Sequence, residues 1–357
     1  MSKQRSKESS RLTTLDHLRG FFIVVIIVDH LGRWPSLFAL ISGQALLWVT
    51  AAEGFVIISG LLIGYVRGFK NKSLSMIEVS KKVIGRAGLL YLWSIIATIG
   101  YTALLWYVPL IGGKPAVPFA VGDWWQVIAQ VLSFQTPFVW VHFLTLYALF
   151  LAVSPIAIFL LRHNKAWLVT VLSLGLLVLG WQTHIEALQW QALFFIPSVA
   201  GYYLEPIRSR WNGLASTKRK IYSAALVGVT VVTVIASAVA WFHPTLIQSF
   251  ADISNAMFAK DTISFWRLLV AFIWFVGFLL VFERFRGWIG TKLGWLLIPI
   301  GTRSLTAYIV HGIAIIAISY FTVAGENIFI NTLLGGIAIL LVWGLLRIPL
   351  VQKIIPR

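Results

Sequence analysis

The sequence predicts an all-α, polytopic integral membrane protein with about ten transmembrane helices. The chain of 357 residues is 59% hydrophobic and only 11% charged, whereas soluble domains average about 25% charged residues. Its apolar runs are long enough to cross a bilayer, which takes about 20 residues per helix. The charged residues cluster in short segments between these runs, and they leave no room for a large soluble domain.

Ten apolar runs define the predicted spans. They cover residues 14–34, 44–66, 82–108, 139–161, 166–184, 188–206, 221–243, 264–282, 303–323 and 328–346. We therefore expect one transmembrane domain over residues 1–357, with a basic tail at 1–13, a helical bundle at 14–346 and a second tail at 347–357. The first apolar run is interrupted by charged residues, so we predict no removable signal peptide.

The basic residues predict the orientation of the chain in the membrane. All but four of its 29 Lys and Arg residues lie in the termini or in alternate loops; the exceptions are Arg33, Lys114, Lys260 and Arg267. Basic loops stay on the cytoplasmic side, so both termini are expected inside a plasma (inner) membrane. The net charge of +17 then reflects topology, and the expected partner is the lipid bilayer, with no nucleic acid.

Residues 109–138 do not fit a simple pattern of spans. A Pro- and Gly-rich outer loop is followed by a sequence that begins with Asp123, Trp124 and Trp125. We interpret this sequence as a short helix at the membrane interface. Most of the 17 tryptophans fit the role of interfacial anchors, while stacking on an acceptor sugar is the alternative for Trp124 and Trp125.

Ionisable residues inside the first span are candidate functional groups, because each costs at least about 2.5–3.5 kcal/mol in hydrocarbon. Arg19 and His30 are eleven residues apart, which places them on one face of a helix and about 16 Å apart along its axis. Asp29 points about 100° away from His30. Arg33 follows at the outer end of the span.

Glu53 is the candidate in the second span, because a buried carboxylate needs a cationic or imidazole partner. His30 or Arg33, just across the outer loop, is the expected partner. Ser59 follows within a run that contains Gly60 and Gly64. Small residues at this spacing are typical of helix packing, and a binding surface is the alternative.

Three further candidates lie in later spans. Lys82 and Arg86 share a helical face at the cytoplasmic end of the third span, where they would anchor lipid headgroups or bind an anionic phosphate ligand. His311 lies roughly 12 Å inside the membrane from Arg303 and would line a helix contact or a substrate site. The chain has no cysteine and no motif with metal-ligand spacing, so no metal site is predicted.

Two sequence blocks carry a resemblance to a known family. LDHLRGFFIVVIIVDH followed by TAAEGFVIISGLLIGYVRG resembles the OpgC-like family of osmoregulated periplasmic glucan succinyltransferases, within the acyltransferase 3 superfamily of membrane O-acyltransferases. HFLTLYALFLAVSPIAIFLLR, LQWQALFFIPSVAGYY and GTRSLTAYIVHG follow in the family's order. The superfamily's Arg and His of the first span correspond to Arg19 and His30. Its acidic residue corresponds to Glu53, and its paired-Arg motif is reduced here to Lys82 and Arg86.

The resemblance implies an acyltransferase 3-like bundle that moves an acyl group from cytoplasmic acyl-CoA to a hydroxyl of an extracytoplasmic glycan. The donor would be succinyl-CoA or acetyl-CoA, with no tightly bound cofactor. His30 would act as general base or transient acyl carrier, oriented by Asp29 or Glu53. The remaining site residues would bind substrates. Arg19, Lys82 and Arg86 would bind the donor, and Arg33 would bind the carboxylate of a succinyl donor. Trp124 and Trp125 would stack on the sugar, and Ser59 and His311 would also bind substrate.

Three alternatives stay open, one within this class and two outside it. The enzyme would otherwise be an O-acetyltransferase of a surface polysaccharide or glycolipid. A proton-coupled secondary transporter, with Asp29, His30 and Glu53 as its relay, would carry the same intramembrane charges, as would a flippase-like carrier. Transfer from acyl-CoA separates the enzyme from both. We also expect a passage lined by spans one, two, three and nine; no signal for an oligomeric state is present.

Overall fold

The computed structural model describes residues 2–111, 117, 119–134 and 139–355. The described residues are 82% helical and form no strand. The helices are α1 Ser2–Leu31, α2 Ala39–Ser42, α3 Ala51–Leu62, α4 Met76–Tyr107, α5 Trp124–Leu132, α6 Val139–Arg162, α7 Ala166–Thr183, α8 Glu186–Trp190, α9 Ala192–Tyr202, α10 Leu204–Gly213, α11 Ser216–Phe242, α12 Gln248–Met257, α13 Phe265–Arg284, α14 Arg286–Lys292, α15 Gly294–Thr302, α16 Ser304–Phe321, α17 Ile328–Leu345 and α18 Pro349–Ile354. Short 3₁₀ turns occupy Gly43–Ala45 and Pro244–Leu246, and α3 continues as a π-helical segment, Ile63–Lys70.

Eight helices in the described part of the chain are long and apolar enough to cross a membrane. They are Ala51–Lys70, Met76–Tyr107, Trp140–Arg162, Ala166–Thr183, Ser216–Phe242, Phe265–Arg284, Ser304–Phe321 and Ile328–Leu345. Each corresponds to one of the ten predicted spans, which confirms the prediction of an all-α polytopic bundle. The two other predicted spans, at residues 14–34 and 188–206, differ from a simple apolar helix for separate reasons.

Helix α1 is longer than predicted, because nothing in the basic N-terminal sequence stops it. Residues 2–13 contain neither Pro nor Gly, so the helix begins at Ser2 and not near residue 14. Its apolar part carries Asp16, Arg19 and Asp29, and these three charges keep it out of the eight uniformly apolar helices. The helix ends before Gly32, which adopts a left-handed φ of 62° as C-terminal glycines commonly do.

The predicted span at residues 188–206 is broken into α8, α9 and the start of α10. The break between α8 and α9 falls at Gln191, whose side-chain amide bonds to both the hydroxyl and the carbonyl of Ser173 in α7. Pro197 within α9 further removes one backbone donor. The departure from one continuous helix between α8 and α9 is therefore a one-residue turn, at which Gln191 keeps helical angles (φ −59°, ψ −26°).

The chain divides into two compact units. The first unit comprises Met1–Ala45, Gly88–Ala148 and Gly287–Arg357, and the second comprises Leu46–Ala87 and Leu149–Arg286. In the first unit α1 packs against α15, α16 and α17. Its approach to α15 is close at Gly20, where a Cβ atom would overlap the backbone of Leu297. The first unit thus holds α1 by backbone-to-backbone contact.

In the second unit α3 packs against α9 through the small residues that the sequence places on one face. A Cβ atom at Gly60 would overlap the carbonyl of Phe194, and one at Gly64 would overlap the carbonyl of Ser198. Such close approach is how small residues stabilise helix pairs in lipid, where the hydrophobic effect does not drive association. The packing interpretation of these glycines is therefore correct.

The short helix predicted after residue 122 is present as α5. Asp123 caps it by accepting a hydrogen bond from the Gln126 amide. Val127 and Val131 of α5 pack in a buried cluster with Trp106 and Phe119. Part of the loop predicted before and after it lies outside the described residues, at 112–116, 118 and 135–138.

Candidate active site

Two imidazoles from distant parts of the sequence meet inside the first unit. His30 Nδ1, near the end of α1, lies 2.8 Å from His311 Nε2, in the middle of α16. The ring centroids are 5.0 Å apart. His311 is fully buried, with 0% of its surface exposed, whereas His30 is half-buried. The sequence marked both residues separately, but it did not predict that they form a pair.

The second nitrogen of His311 contacts its own helix. His311 Nδ1 lies within hydrogen-bonding distance of the Tyr308 carbonyl oxygen, one turn earlier in α16. This contact, together with that to His30, occupies both ring nitrogens of His311. His311 was assigned to substrate binding from the sequence, and the structure shows its ring nitrogens in contact with His30 and with the Tyr308 carbonyl oxygen.

Aromatic side chains surround the His311 ring. Tyr308 and Trp140 lie with their ring centroids 5.2 Å and 6.3 Å from that of His311. Tyr101 of α4 contacts Trp140 edge to face and donates its hydroxyl to the Ile309 carbonyl. All three aromatic residues are buried. His311 therefore lies in a packed, largely apolar environment.

The C-terminal end of α1 is tied to the end of α16. Arg33 is buried, and its Nη2 donates a hydrogen bond of 3.0 Å to the Thr322 carbonyl oxygen, just beyond the end of α16. This bond satisfies one of the carbonyls that a helix leaves open at its C-terminus. Arg33 thus contributes to the structure near His30, whatever ligand it also binds.

Arg19 lies on the same unbroken helix as His30. Arg19 and His30 both belong to α1, as the spacing predicted. Arg19 Nη1 lies 3.9 Å from an Asp16 carboxylate oxygen, and both side chains are partly exposed. A single rigid element therefore separates a basic group from the imidazole pair by about 16 Å of helix rise.

Glu53 lies in the second unit and is paired with Arg267. Two guanidinium nitrogens of Arg267 donate to Glu53 Oε1 over 2.8 Å and 2.5 Å. Glu53 Oε2 accepts bonds from the backbone amide and the hydroxyl of Thr50, at 3.0 Å and 2.5 Å. The expectation that His30 or Arg33 would supply the cation is wrong: it comes from α13, 214 residues away.

This pair holds a loop against the start of α3. Arg267 Nη1 also donates to the carbonyls of Lys260 and Thr262, each over 3.1 Å. In the sequence, Arg267 stood out only as a basic residue of an expected outer loop. The signal for its pairing is a cation within the apolar run FWRLLVAFIWF, because a buried cation is as costly in hydrocarbon as the Glu53 carboxylate.

The remaining candidates of the second unit differ in exposure. Ser59 is buried and donates to the Phe55 carbonyl of its own helix, an arrangement typical of a hydroxyl satisfied within a span. Lys82 is exposed and Arg86 is half-buried, both in the first turns of α4. Their position leaves Lys82 accessible to a ligand or to lipid.

Trp124 and Trp125 have different surroundings. The Trp124 ring lies edge to face against Trp106, with centroids 4.7 Å apart, and belongs to the packing of α5. Trp125 is 80% exposed. Trp125 is thus the better placed of the two for contact with a sugar or with the bilayer interface.

Asp29 is half-buried beside His30 in sequence, but the group that contacts His30 Nδ1 is His311. Within the described ranges, no three His, Asp or Glu side chains gather as they would around a metal ion. The site therefore consists of the His30 imidazole, which can act as a base, in contact with the buried His311 imidazole. Such an arrangement suits proton transfer.

These features describe an all-helical, polytopic membrane protein with an imidazole pair inside its first unit. A family model described as OpgC protein matches residues 11–349, nearly the whole chain. The chain belongs to the OpgC protein family. Membership of this family suggests a glucan-modifying acyltransferase. Neither a curated protein nor a solved structure matches the chain significantly.

Proposed function

We propose that the protein is an O-acyltransferase of the plasma (inner) membrane that moves a succinyl or acetyl group from cytoplasmic acyl-CoA to a hydroxyl of an extracytoplasmic glycan. The observation that carries the proposal is the His30 imidazole, which is half-buried and contacts His311 over 2.8 Å. An intramembrane ionisable pair is costly and is a functional site by default. The family's link to glucan modification supports this class of reaction.

The chemistry needs little beyond a positioned base, because a thioester is already activated. The acceptor hydroxyl gives its proton to His30 Nε2 as its oxygen attacks the thioester carbonyl carbon, and a carbon–oxygen bond forms. The tetrahedral intermediate then collapses as the carbon–sulfur bond breaks. The departing sulfur takes the proton from the His30 imidazolium, so the products are the glycan ester and free CoA thiol.

The donor is assigned to the cytoplasmic end of α1. Arg19 lies about 16 Å of helix rise from His30, a separation comparable with the length of an extended pantetheine arm. A CoA phosphate near Arg19 would therefore allow its thioester to reach His30. Lys82 and Arg86, in the first turns of α4, keep the assignment to donor binding that the resemblance gives them.

The acyl group and the acceptor are assigned at the outer end. A succinyl donor carries a carboxylate, and Arg33 is the buried cation nearest to His30 in sequence. Only its Nη2 bonds to Thr322, and we assign its other guanidinium edge to the carboxylate. The exposed Trp125 ring is assigned to stacking on the glycan.

The test uses the full-length protein in proteoliposomes, with succinyl-CoA or acetyl-CoA as donor and an unmodified glucan as acceptor. Mass spectrometry of the glucan identifies the added acyl group, and a thiol reagent measures CoA release. We expect His30→Ala to lower transfer by 10²- to 10⁴-fold, as about that much is lost with a general base. His243→Ala, which removes an exposed imidazole, serves as the control.

Two results would contradict the proposal. Wild-type protein that releases no CoA thiol and adds no mass to the glucan would return it to the transporter class. Transfer by His30→Ala above about 10% of the wild-type rate would be too fast for loss of a base and would remove His30 from the chemistry.

A further inference from the structure

We infer that His311 is a positioning residue, which holds His30 in the tautomer whose Nε2 carries no proton. The inference rests on the proposed function for its catalytic meaning, but the tautomer itself is a property of the folded protein. The juxtaposition that supports it is a chain of three groups: the Tyr308 carbonyl, His311 and His30.

The first link fixes the proton of His311. Its Nδ1 faces the Tyr308 carbonyl oxygen, which can only accept a hydrogen bond. A neutral imidazole carries one N–H donor and one bare nitrogen. Nδ1 is therefore the donor, and Nε2 of His311 is left bare as an acceptor.

The hydrogen bond between the two imidazoles then fixes the tautomer of His30. The bare Nε2 of His311 lies 2.8 Å from His30 Nδ1, a normal distance for a hydrogen bond between nitrogens. Since His311 Nε2 accepts, His30 Nδ1 must donate. The proton of His30 is thus held on Nδ1, and Nε2 is the bare, basic nitrogen.

The packing around His311 prevents the alternative arrangement. His311 is 0% exposed, so water does not compete for its ring nitrogens. Gly312 leaves room for the Tyr101 ring, with which a side chain at that position would overlap, and Trp140 closes another side. Rotating or re-protonating His311 would leave a buried polar group without a partner, at a cost of about 1–3 kcal/mol.

The same chain stabilises the charge that develops on His30. When Nε2 takes the hydroxyl proton, the imidazolium still donates from Nδ1 to His311, and that ring donates to the Tyr308 carbonyl. The role that a carboxylate plays behind the histidine of a Ser-His-Asp triad is here filled by a neutral imidazole and a backbone carbonyl. On release of the thiol, the proton leaves Nε2 and the original tautomer returns.

Two substitutions at one position separate orientation from simple packing. The amide of His311→Gln can reach the place of Nε2 and accept from His30, whereas the shorter amide of His311→Asn reaches only the place of Nδ1. We expect His311→Gln to retain most of the wild-type kcat. His311→Asn should lose about 10- to 100-fold, a range typical when a group that orients a functional histidine is removed, with KM for acyl-CoA unchanged.

The direct measurement is nitrogen NMR of the ¹⁵N-histidine-labelled wild-type protein, which distinguishes protonated from bare ring nitrogens. The chain has seven histidines, and the signals of His30 are those lost in His30→Gln. We expect His30 to show a protonated Nδ1 and a bare Nε2. This readout needs neither activity nor a variant at position 311.

The outcomes separate this inference from the proposed function. A bare Nδ1 on His30, or equal kcat values for His311→Asn and His311→Gln in proteins that melt like wild type, would overturn the positioning role while acyl transfer stood. If the wild-type protein transferred no acyl group, the proposed function would fail, and the NMR spectrum would still decide the tautomer. If His311→Asn fails to fold, the spectrum of the wild-type protein decides alone.

Discussion

Replacing Glu53 by Gln removes one charge from a buried, fully bonded ion pair, and it tests whether this residue stabilises the fold or takes part in the chemistry. Each oxygen of Glu53 accepts hydrogen bonds from donors: Oε1 from Arg267, and Oε2 from the backbone and hydroxyl of Thr50. A glutamine has only one acceptor end. Whichever way it is turned, its amide NH₂ meets donors, and the Arg267 charge loses its counter-ion.

The expected cost follows from the burial of the pair. The Glu53 and Arg267 side chains are 0% and 4% exposed, and breaking such a pair costs about 3–5 kcal/mol because an uncompensated charge stays buried. At roughly 2–4 °C per kcal/mol for a domain of 150–250 residues, the melting temperature should fall by about 6 °C or more. Glu283→Gln in the exposed pair with Arg286, where the side chains are 36% and 41% exposed, should cost no more than about 1 kcal/mol.

The assay is thermal unfolding in detergent, measured by intrinsic tryptophan fluorescence, with acyl transfer measured on the same samples. The double variant Glu53→Gln with Arg267→Met should melt above Glu53→Gln alone, because the unpaired charge is gone. An unchanged melting temperature for Glu53→Gln, combined with a loss of transfer greater than 100-fold, would refute this reasoning and return Glu53 to the reacting groups.

Three further predictions concern topology and substrate binding. In intact cells an impermeant thiol reagent should label Ala256→Cys and not Ala215→Cys, both being exposed sites in a chain without native cysteine; the reverse pattern would overturn the orientation. Replacing Lys82 and Arg86 by Gln should raise KM for acyl-CoA several-fold and leave kcat unchanged, as is expected when ground-state binding is lost; an effect confined to KM for the glucan would contradict the assignment. Trp125→Ala should raise KM for the glucan without changing the melting temperature, whereas Trp124→Ala should lower the melting temperature because its ring packs on Trp106.

The helices were predictable to the extent that they depend on local composition. Charged segments on either side of an apolar run mark its ends, and the eight long apolar helices follow from that pattern. Residues 188–206 have the same composition, but the structure divides them at a one-residue turn, Gln191, whose side chain bonds to Ser173 of α7. A tertiary contact of this kind leaves no signal in a hydropathy pattern.

The site was predictable as a set of residues and not as a set of pairs. The cost of burying charge marked His30, Glu53 and His311 one by one. Their partners come from far along the chain: His30 and His311 are 281 residues apart, and Glu53 and Arg267 are 214 residues apart. Which ionisable groups meet depends on helix packing, and for Glu53 the nearest candidates in sequence were the wrong choice.

Because α1 is one unbroken helix, the number of residues between Arg19 and His30 sets the direction in which His30 points. Adding one residue between Arg19 and His30 would lengthen the helix by only about 1.5 Å but would turn His30 by about 100° around the axis, away from His311. Adding a whole turn would restore the direction and move the ring by about 5.4 Å. A change in the number of residues between these two positions would therefore displace His30 far more than a change of side chain at any position between them.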